Sequence, residues 1–145
     1  MPFTEANFEN AILEIFRDLL GYEYLYGPDV VRDFAEPLCP EILEDALVRI
    51  NPSLPRAAID EAIARIRTHE SGSLARKNAR FTDMLQNGVA VNYFDGSEQR
   101  AGLVRLVDYD LPMRNRFTVA NQWTVEGRSV RRADIVVFVN GLPLG

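Results

Sequence analysis

Two acidic residues stand where they could bind a metal ion, although each has an ordinary explanation too. Asp134 precedes Ile135–Val139, an apolar run typical of a strand buried in a sheet. At 100° per residue, Glu9 lies on the same side of the first predicted helix as Leu13 and Phe16. Carboxylates on rigid elements can bind Mg²⁺. Taken alone, the pattern favours a turn residue paired with a neighbouring arginine at Asp134, and an acid near the positive end of the helix at Glu9.

Two further groups of polar residues could act together. Asp108 and Asp110 share one face of a predicted strand and could both bind a metal, but a D-x-D-x-P run that leaves a strand is more often turn chemistry. The side-chain amides of Asn121 and Gln122 could bind a ligand, or they could satisfy buried backbone groups. The second interpretation is favoured, because buried polar groups are nearly always hydrogen-bonded.

Several classes of chemistry are excluded or poorly supported. His69 is the only histidine, near a predicted helix end, which gives little support to a Ser-His-Asp triad or a multi-histidine metal site. Cys39 is the only cysteine, so an internal disulfide and a cysteine-rich zinc site are excluded, and packing is its expected role. The sequence contains neither GxxxxGK[ST] nor GxGxxG, so no nucleotide-binding loop is recognisable.

The composition is that of one globular domain, with 145 residues of which 47% are hydrophobic. No signal peptide or membrane-length apolar run is evident, which predicts a cytoplasmic protein. The net charge of −5 is uneven: residues 1–64 hold 4 basic and 13 acidic residues, and residues 65–145 hold 12 and 8. The basic half could face phosphates, although an ordinary solvated surface is the favoured interpretation.

The first half of the chain carries helical patterns that could position these residues. Thr4 is a predicted N-cap, and Gly21 ends the first helix, whose apolar side chains are expected to pack on a core. The members of that apolar face are Phe8, Ile12, Ile15, Phe16, Leu19 and Leu20. Three more predicted helices follow the extended segment YEYLYG: PEILEDALVRI, PRAAIDEAIARIR and SLARKNARFTDMLQ.

From Val89 the apolar period changes to two, which predicts strands. The segments are GVAVNYFDG, AGLVRLVDYD, RFTVANQWTVEG and RRADIVVFVNGLPLG, the last with a tight Asn-Gly turn. Residues 1–88 are thus expected to be mainly helical and residues 89–145 mainly strands. The order predicts a mixed α/β (α+β) fold, in which N-terminal helices back a mixed, largely antiparallel sheet.

The chain also resembles the N-terminal nuclease domain of the restriction (R, or motor) subunit of type I restriction enzymes. The segments that carry the resemblance are FENAILEIFRDLLGYEY, INPSLPRAAIDEAI, NARFTDMLQNGVAV, VDYDLPMRNRFTVANQWTV and RRADIVVFVNGLPL, in the family's order. The resemblance implies a nuclease core of the PD-(D/E)xK type that binds Mg²⁺. Asp134 would be the metal-binding aspartate and Glu9 the acid from the first helix, both catalytic. Arg132-Ala133-Asp134 stands where the family usually has Arg-Pro-Asp.

The resemblance also implies parts that these residues do not include. A Glu-x-Lys on the strand after the Asn-Gly turn would complete the site, so residues 1–145 are expected to form an incomplete endonuclease domain, truncated after the Asp-bearing strand and inactive alone. ATP would act only through a motor domain absent from this chain. Double-stranded DNA and the specificity (S) and methylation (M) subunits are the implied partners, with no membrane. The alternative is a non-catalytic, nuclease-like module that binds DNA or protein.

Overall fold

A computed structural model of the chain describes residues 4–30, 38–68, 74–126 and 130–144. Within those residues the α-helices are α1 (Glu5–Glu14), α2 (Pro40–Ile50), α3 (Arg56–Arg67) and α4 (Leu74–Asn87). One π-helical turn, Ile15–Leu19, continues α1. The predicted N-cap is confirmed, because Oγ1 of Thr4 accepts a hydrogen bond from the Asn7 N–H at 3.2 Å.

The strands of the described residues form two sheets. They are β1 (Glu23–Tyr26), β2 (Val89–Phe94), β3 (Gln99–Val104), β4 (Phe117–Glu126), β5 (Val130–Val139) and β6 (Leu142–Pro143). One sheet has the order β1-β4-β5-β6, with β1 parallel to β4 and the other pairs antiparallel. The other sheet is the antiparallel pair β2-β3. Helices with a mixed, largely antiparallel sheet confirm the predicted α+β class.

The division into two sheets differs from the single sheet expected. The segment read only as extended, YEYLYG, supplies β1, which pairs with β4 from Glu23↔Thr118 to Tyr26↔Asn121. A parallel partner lies far away along the chain, so its pairing leaves no hairpin signal in the local sequence. The β2-β3 pair, by contrast, is a local hairpin and was predicted as two successive strands.

The Asn-Gly turn after β5 is confirmed and carries a short partner strand. Asn140 and Gly141 have φ values of 51° and 80°, as a type I′ turn requires. β6 then pairs with β5 through Val139↔Leu142. The sheet therefore extends one short strand past the Asp-bearing strand, where the sequence predicted none.

The chain forms two compact units. The terminal unit comprises Met1–Leu43 and Arg116–Gly145, and the central unit comprises Glu44–Asn115. The boundary between them falls within α2. The predicted helical and strand-bearing parts, 1–88 and 89–145, follow the order of elements along the chain, whereas the compact units cut across that order.

The core of the terminal unit lies around the rings of Trp123 and Phe138, whose centroids are 4.9 Å apart in an edge-to-face arrangement. Three smaller buried side chains complete this cluster: Cys39, Ala120 and Val136. Packing was the role expected of Cys39 and is confirmed. β5 is an interior strand of its sheet, and its alternate residues Val136 and Phe138 are buried on this core.

The apolar face predicted for the first helix is wrong in detail. Leu13 is the buried residue of α1, and Phe16 is half-buried. Leu19 is 78% exposed, and Phe8, Ile15 and Leu20 are also exposed. The helix thus turns the side that carries Leu13 inward, rather than the broader stripe that the apolar residues suggested.

The central unit contains α3, α4 and the β2-β3 hairpin, on which α3 packs. Asn51, a buried residue, joins the end of α2 to the segment after β3: its Nδ2 donates to the carbonyl oxygens of Leu47 and Arg105, both at 2.9 Å. Gly88 has φ +83° and follows the last residue of α4, as predicted. Throughout the described part of the chain, no helix has the length and apolarity needed to cross a membrane.

Candidate functional site

Glu9 lies on the inward side of α1, in the terminal unit. Its side chain is half-buried, and Leu13, one turn further along, is 6% exposed. The first-turn acid of α1 is Glu5, whereas Glu9 belongs to the second turn. The helix-dipole explanation therefore applies to Glu5, and the orientation predicted for Glu9 is confirmed by its neighbours Leu13 and Phe16.

Three hydrogen bonds from two amides hold the Glu9 carboxylate. Nε2 of Gln122 donates to Oε1 at 3.1 Å and to Oε2 at 3.3 Å. Nδ2 of Asn121 donates to Oε1 at 3.3 Å, and Oδ1 of the same amide accepts from the Tyr24 hydroxyl at 2.9 Å. The amides were expected to satisfy backbone groups. That interpretation is wrong, because a carboxylate and a phenol approach them instead.

Asp134 stands opposite Gln122 in the β4–β5 ladder. Asn121 pairs with Ile135, and Trp123 pairs with Ala133. Between these two pairs, one residue remains on each strand: Gln122 on β4 and Asp134 on β5. Gln122 has φ +52°, a left-handed backbone conformation that is rare and strained for a residue other than glycine, asparagine or aspartate. The regular pairing of β4 with β5 therefore lapses, that is, it is interrupted, at Gln122 and Asp134.

The strand that carries Asp134 starts earlier than expected. β5 begins at Val130, so Asp134 is the fifth of its ten residues and is exposed. The interpretation of Asp134 as a turn residue is therefore wrong. The proposed pairing with Arg131 or Arg132 concerns side chains that lie outside the described residues.

Glu9 and Asp134 are brought to one region of the terminal unit. α1 contacts β5, and the carboxylate of Glu9 is bonded to the residue opposite Asp134. Across the described ranges, no three acidic, histidine or cysteine side chains form a group that could hold a metal. Mg²⁺ usually keeps several waters and is bound through one or two carboxylates together with phosphate oxygens of a substrate.

The oxygen atoms of these two side chains are of the type that such an ion binds. A carboxylate offers about four acceptor positions. The described amides occupy three on Glu9, two at Oε1 and one at Oε2. One acceptor position on Oε2 is left for a further partner. The candidate metal ligands are carboxylate oxygens, which Mg²⁺ prefers.

Gly27 and Tyr24 belong to the same arrangement, and sequence reasoning assigned them no role. A Cβ at the buried Gly27 would come closer than 3.0 Å to the carbonyl oxygens of Asn121 and Gln122. Only glycine therefore lets the chain after β1 approach this part of β4. The one available signal was a Gly-Pro pair directly after an aromatic extended segment.

β1 is tied to the start of β4 by an ion pair. The guanidinium of Arg116 donates to both carboxylate oxygens of Glu23, at 2.8 Å each. This hydrogen bonding holds the pKa of Glu23 below its ordinary value. The ion pair joins β1 and β4 at one end of their pairing, and Asn121 lies at the other end.

The other predicted acidic pair forms a turn in the central unit. Oδ1 of Asp108 accepts from the N–H groups of Asp110 at 3.1 Å and Leu111 at 2.9 Å. Asp110 pairs with Arg105 at 3.0 Å. The turn interpretation of Asp108 and Asp110 is confirmed. His69 lies outside the described residues.

Comparison with known proteins identifies the family of this chain and some of its relatives. The model of the family described as "Type I restriction enzyme R protein N terminus" matches residues 2–145. Over 97% of its own length, this chain is 36% identical to the type I restriction enzyme HindI endonuclease subunit of Haemophilus influenzae. It is 30% identical, over 94% of its length, to a putative type I restriction enzyme MjaIXP endonuclease subunit of Methanocaldococcus jannaschii. It spans 14% of the length of each of these relatives.

Proposed function

The chain belongs to the family of type I restriction enzyme R protein N-termini, and on that premise we propose that it is part of the DNA endonuclease domain of such a subunit. The reaction would be metal-dependent cleavage of phosphodiester bonds in foreign double-stranded DNA. The observation that carries the proposal is that one strained residue is linked to both acids, to Glu9 by hydrogen bonds and to Asp134 by its place in the ladder. Gln122 is bonded to Glu9 and stands opposite Asp134.

Glu9 and Asp134 would hold Mg²⁺. When bound, the ion would polarise the scissile phosphate and favour deprotonation of the attacking water. Glu9 offers the remaining position on Oε2, and Asp134 offers an exposed carboxylate on an interior strand. A site on a strand and a helix keeps its ligands in place better than a site on loops, as cleavage of a positioned phosphate requires.

The family pattern places a Glu-x-Lys on the strand after the Asn-Gly turn, and residues 135–145 contain none. We therefore propose that a polypeptide of these 145 residues does not cut DNA. Plasmid cleavage by this polypeptide with Mg²⁺, abolished by Asp134→Ala, would overturn that part of the proposal.

The whole subunit would work inside a larger assembly. We propose that it acts in the cytoplasm with specificity and methylation subunits of a type I restriction complex, and that ATP is used by a motor region outside residues 1–145. The relatives named endonuclease subunits support this assignment by their similarity over nearly the whole of this chain.

Cleavage by the assembled complex tests the proposed roles. In the R subunit that contains this chain, Asp134→Ala should reduce the rate of DNA cleavage by at least about a hundredfold, because a metal ligand is lost. ATP hydrolysis should continue, which shows that the complex still assembles. Asp110→Ala is the matched control, since the Asp110 carboxylate pairs with Arg105 and lies in the central unit. Full cleavage by the Asp134→Ala complex would reject the nuclease role of this site.

A non-catalytic DNA- or protein-binding module is the second candidate. It is favoured by the observation that the described residues offer two carboxylates and no third metal-binding side chain. This alternative requires that DNA binding by the chain is the same with EDTA as with Mg²⁺, and that Asp134→Ala leaves it unchanged.

A further inference from the structure

We propose that Gln122 is a positioning residue, which fixes the Glu9 carboxylate beside Asp134 so that the two acids can share one divalent cation. This inference rests on the proposed function. It assigns a role to a residue that would not itself touch the ion. Four features of the terminal unit carry it.

The first feature is the choice of residue at a strained position. Position 122 has φ +52°, which glycine adopts freely and asparagine tolerates better than other residues. Glutamine has no conformational advantage there. It does have one methylene more than asparagine, and its Nε2 reaches both oxygens of Glu9. The strain is thus associated with a contact that a better-suited backbone residue could not make.

The second feature is the geometry of the contact. One nitrogen donates to both oxygens of the same carboxylate, and Asn121 adds a third hydrogen bond to Oε1. The Asn121 amide is itself oriented by the Tyr24 hydroxyl. Together these bonds fix the rotation of the carboxylate, whereas a single bond would leave it free to turn.

The third feature is the backbone that carries the two amides. The close approach of Gly27 to the carbonyl oxygens of Asn121 and Gln122 leaves that stretch of β4 little room to shift. The pairs Asn121↔Ile135 and Trp123↔Ala133 flank Gln122 on both sides. The amide that holds Glu9 therefore keeps a defined place relative to Asp134.

The fourth feature is the charge of the donors. Among the described residues, the two groups that bind Glu9 are neutral amides, so they orient the carboxylate without cancelling its negative charge. An arginine or lysine in the same place would pair with Glu9 and compete with a cation. The carboxylate of Glu9 therefore keeps the charge that a divalent cation would bind.

Titration of the 145-residue chain with Mn²⁺ tests the inference, with the electron paramagnetic resonance signal of the free ion as the readout. Gln122→Asn keeps an amide and suits the left-handed backbone, but it is too short to reach Glu9. We expect it to weaken Mn²⁺ binding by about tenfold, as is usual when a partner of a metal ligand is lost. The emission maximum of Trp123, the only tryptophan, should stay that of a buried indole.

A double-mutant cycle separates positioning from other roles. If Gln122 acts through Glu9, Gln122→Asn should have no further effect on Mn²⁺ affinity in a Glu9→Gln background. Equal losses in both backgrounds would overturn the inference, because Gln122 would then be a ligand itself or a general structural residue. Gln122→Gly, which relieves the backbone strain, should give the same affinity loss and replaces Gln122→Asn if that variant does not fold.

Asp134→Asn distinguishes failure of the inference from failure of the proposed function. Wild-type binding that is weakened by Asp134→Asn but unchanged by either variant at position 122 would reject only the role of Gln122. Binding that is unaffected by Asp134→Asn, or no binding at all, would reject the metal site and the inference with it. Asn92→Ser is the matched control: Asn92 is an exposed amide on β2, within an unbroken ladder, and should leave Mn²⁺ affinity unchanged.

Discussion

Two long antiparallel ladders among the described residues, β2–β3 and β4–β5, differ in their continuity. In the central unit, β2 and β3 pair without interruption from Val89↔Val104 to Phe94↔Gln99. In the terminal unit, β4 and β5 form a longer ladder that keeps one register and lapses once, at Gln122 and Asp134. The lapse coincides with the strained backbone of Gln122. Departures from regular geometry tend to mark functional sites, and here only one of the two ladders has one.

The polar contacts of the two regions differ in range. At the β2–β3 turn, Asp95 accepts hydrogen bonds from the N–H groups of Ser97 and Glu98, at 2.9 Å each, and pairs with Arg100. These partners lie within five residues of Asp95. In the terminal unit, Glu9 is bonded to residues 112 and 113 positions away. Local contacts of the first kind stabilise a turn, whereas contacts of the second kind depend on the folded unit as a whole.

The largest effect is expected for a substitution at Gly27, which lies against the backbone of Asn121 and Gln122, where the β4–β5 pairing is interrupted. Gly27→Ala places a methyl group against two backbone carbonyl oxygens, which cannot move without disturbing β1–β4 pairing. We expect a loss of more than about 2 kcal/mol in the free energy of unfolding, or no folding of the terminal unit. Urea denaturation followed by Trp123 fluorescence measures it.

Gly102→Ala is the matched control in the regular hairpin. A Cβ at Gly102 would meet side-chain atoms of Tyr93 at 3.2 Å and Leu54 at 3.5 Å, which can shift by rotation. Its expected cost is below about 1 kcal/mol by circular dichroism. Equal losses at both glycines would show that the close approach of Gly27 is not a special constraint.

The local elements could be predicted from the sequence. The N-cap at Thr4, the strands of the β2–β3 hairpin and the Asn140–Gly141 turn each depend on residues a few positions apart. The turn of Asp108 is of the same kind. Patterns of this range survive in a single sequence, because their partners lie within one window of the chain.

The tertiary arrangement of the candidate site could be predicted only in part. The inward orientation of Glu9 followed from helical spacing, but its amide partners lie at the other end of the chain. The parallel pairing of β1, and with it the need for glycine at position 27, has no local pattern. The metal-binding roles of Glu9 and Asp134 came from the family resemblance and stay predictions.

A smaller effect is expected from the loss of a carboxylate whose pKa is lowered, and each region contains one such group, Glu23 or Asp95. Hydrogen bonding lowers the pKa of Glu23, through Arg116, and of Asp95, chiefly through Arg100. A folded-state pKa below the unfolded one gives stability that is present above the unfolded pKa and is lost as pH falls through the folded pKa. We expect Glu23→Gln to cost under about 1 kcal/mol at pH 7, because the pair is partly exposed, and nothing once Glu23 is protonated.

Amide hydrogen exchange locates the two effects. Glu23→Gln should reduce protection along β1, whose parallel partner is distant in sequence. Asp95→Asn should reduce protection only at the β2–β3 turn, where its partners are local. Loss of protection along the whole β2–β3 ladder in Asp95→Asn would contradict the contrast between local and long-range contacts.

The smallest effect concerns a hydroxyl in the regular part of the terminal sheet. Thr118 is fully buried between β1 and β5, and its Oγ1 has no hydrogen-bond partner among the described residues. Burial of an unsatisfied polar group is unfavourable, so Thr118→Val should cost nothing and should stabilise the fold by less than about 0.5 kcal/mol. Thr68→Val is the control in the central unit, where Oγ1 donates to the Ala64 carbonyl oxygen at 2.9 Å, and it should cost about 0.5 kcal/mol. Urea denaturation of the two variants distinguishes these signs, and a clear loss in Thr118→Val would mean that the hydroxyl has a partner which stabilises the β1–β4–β5 sheet.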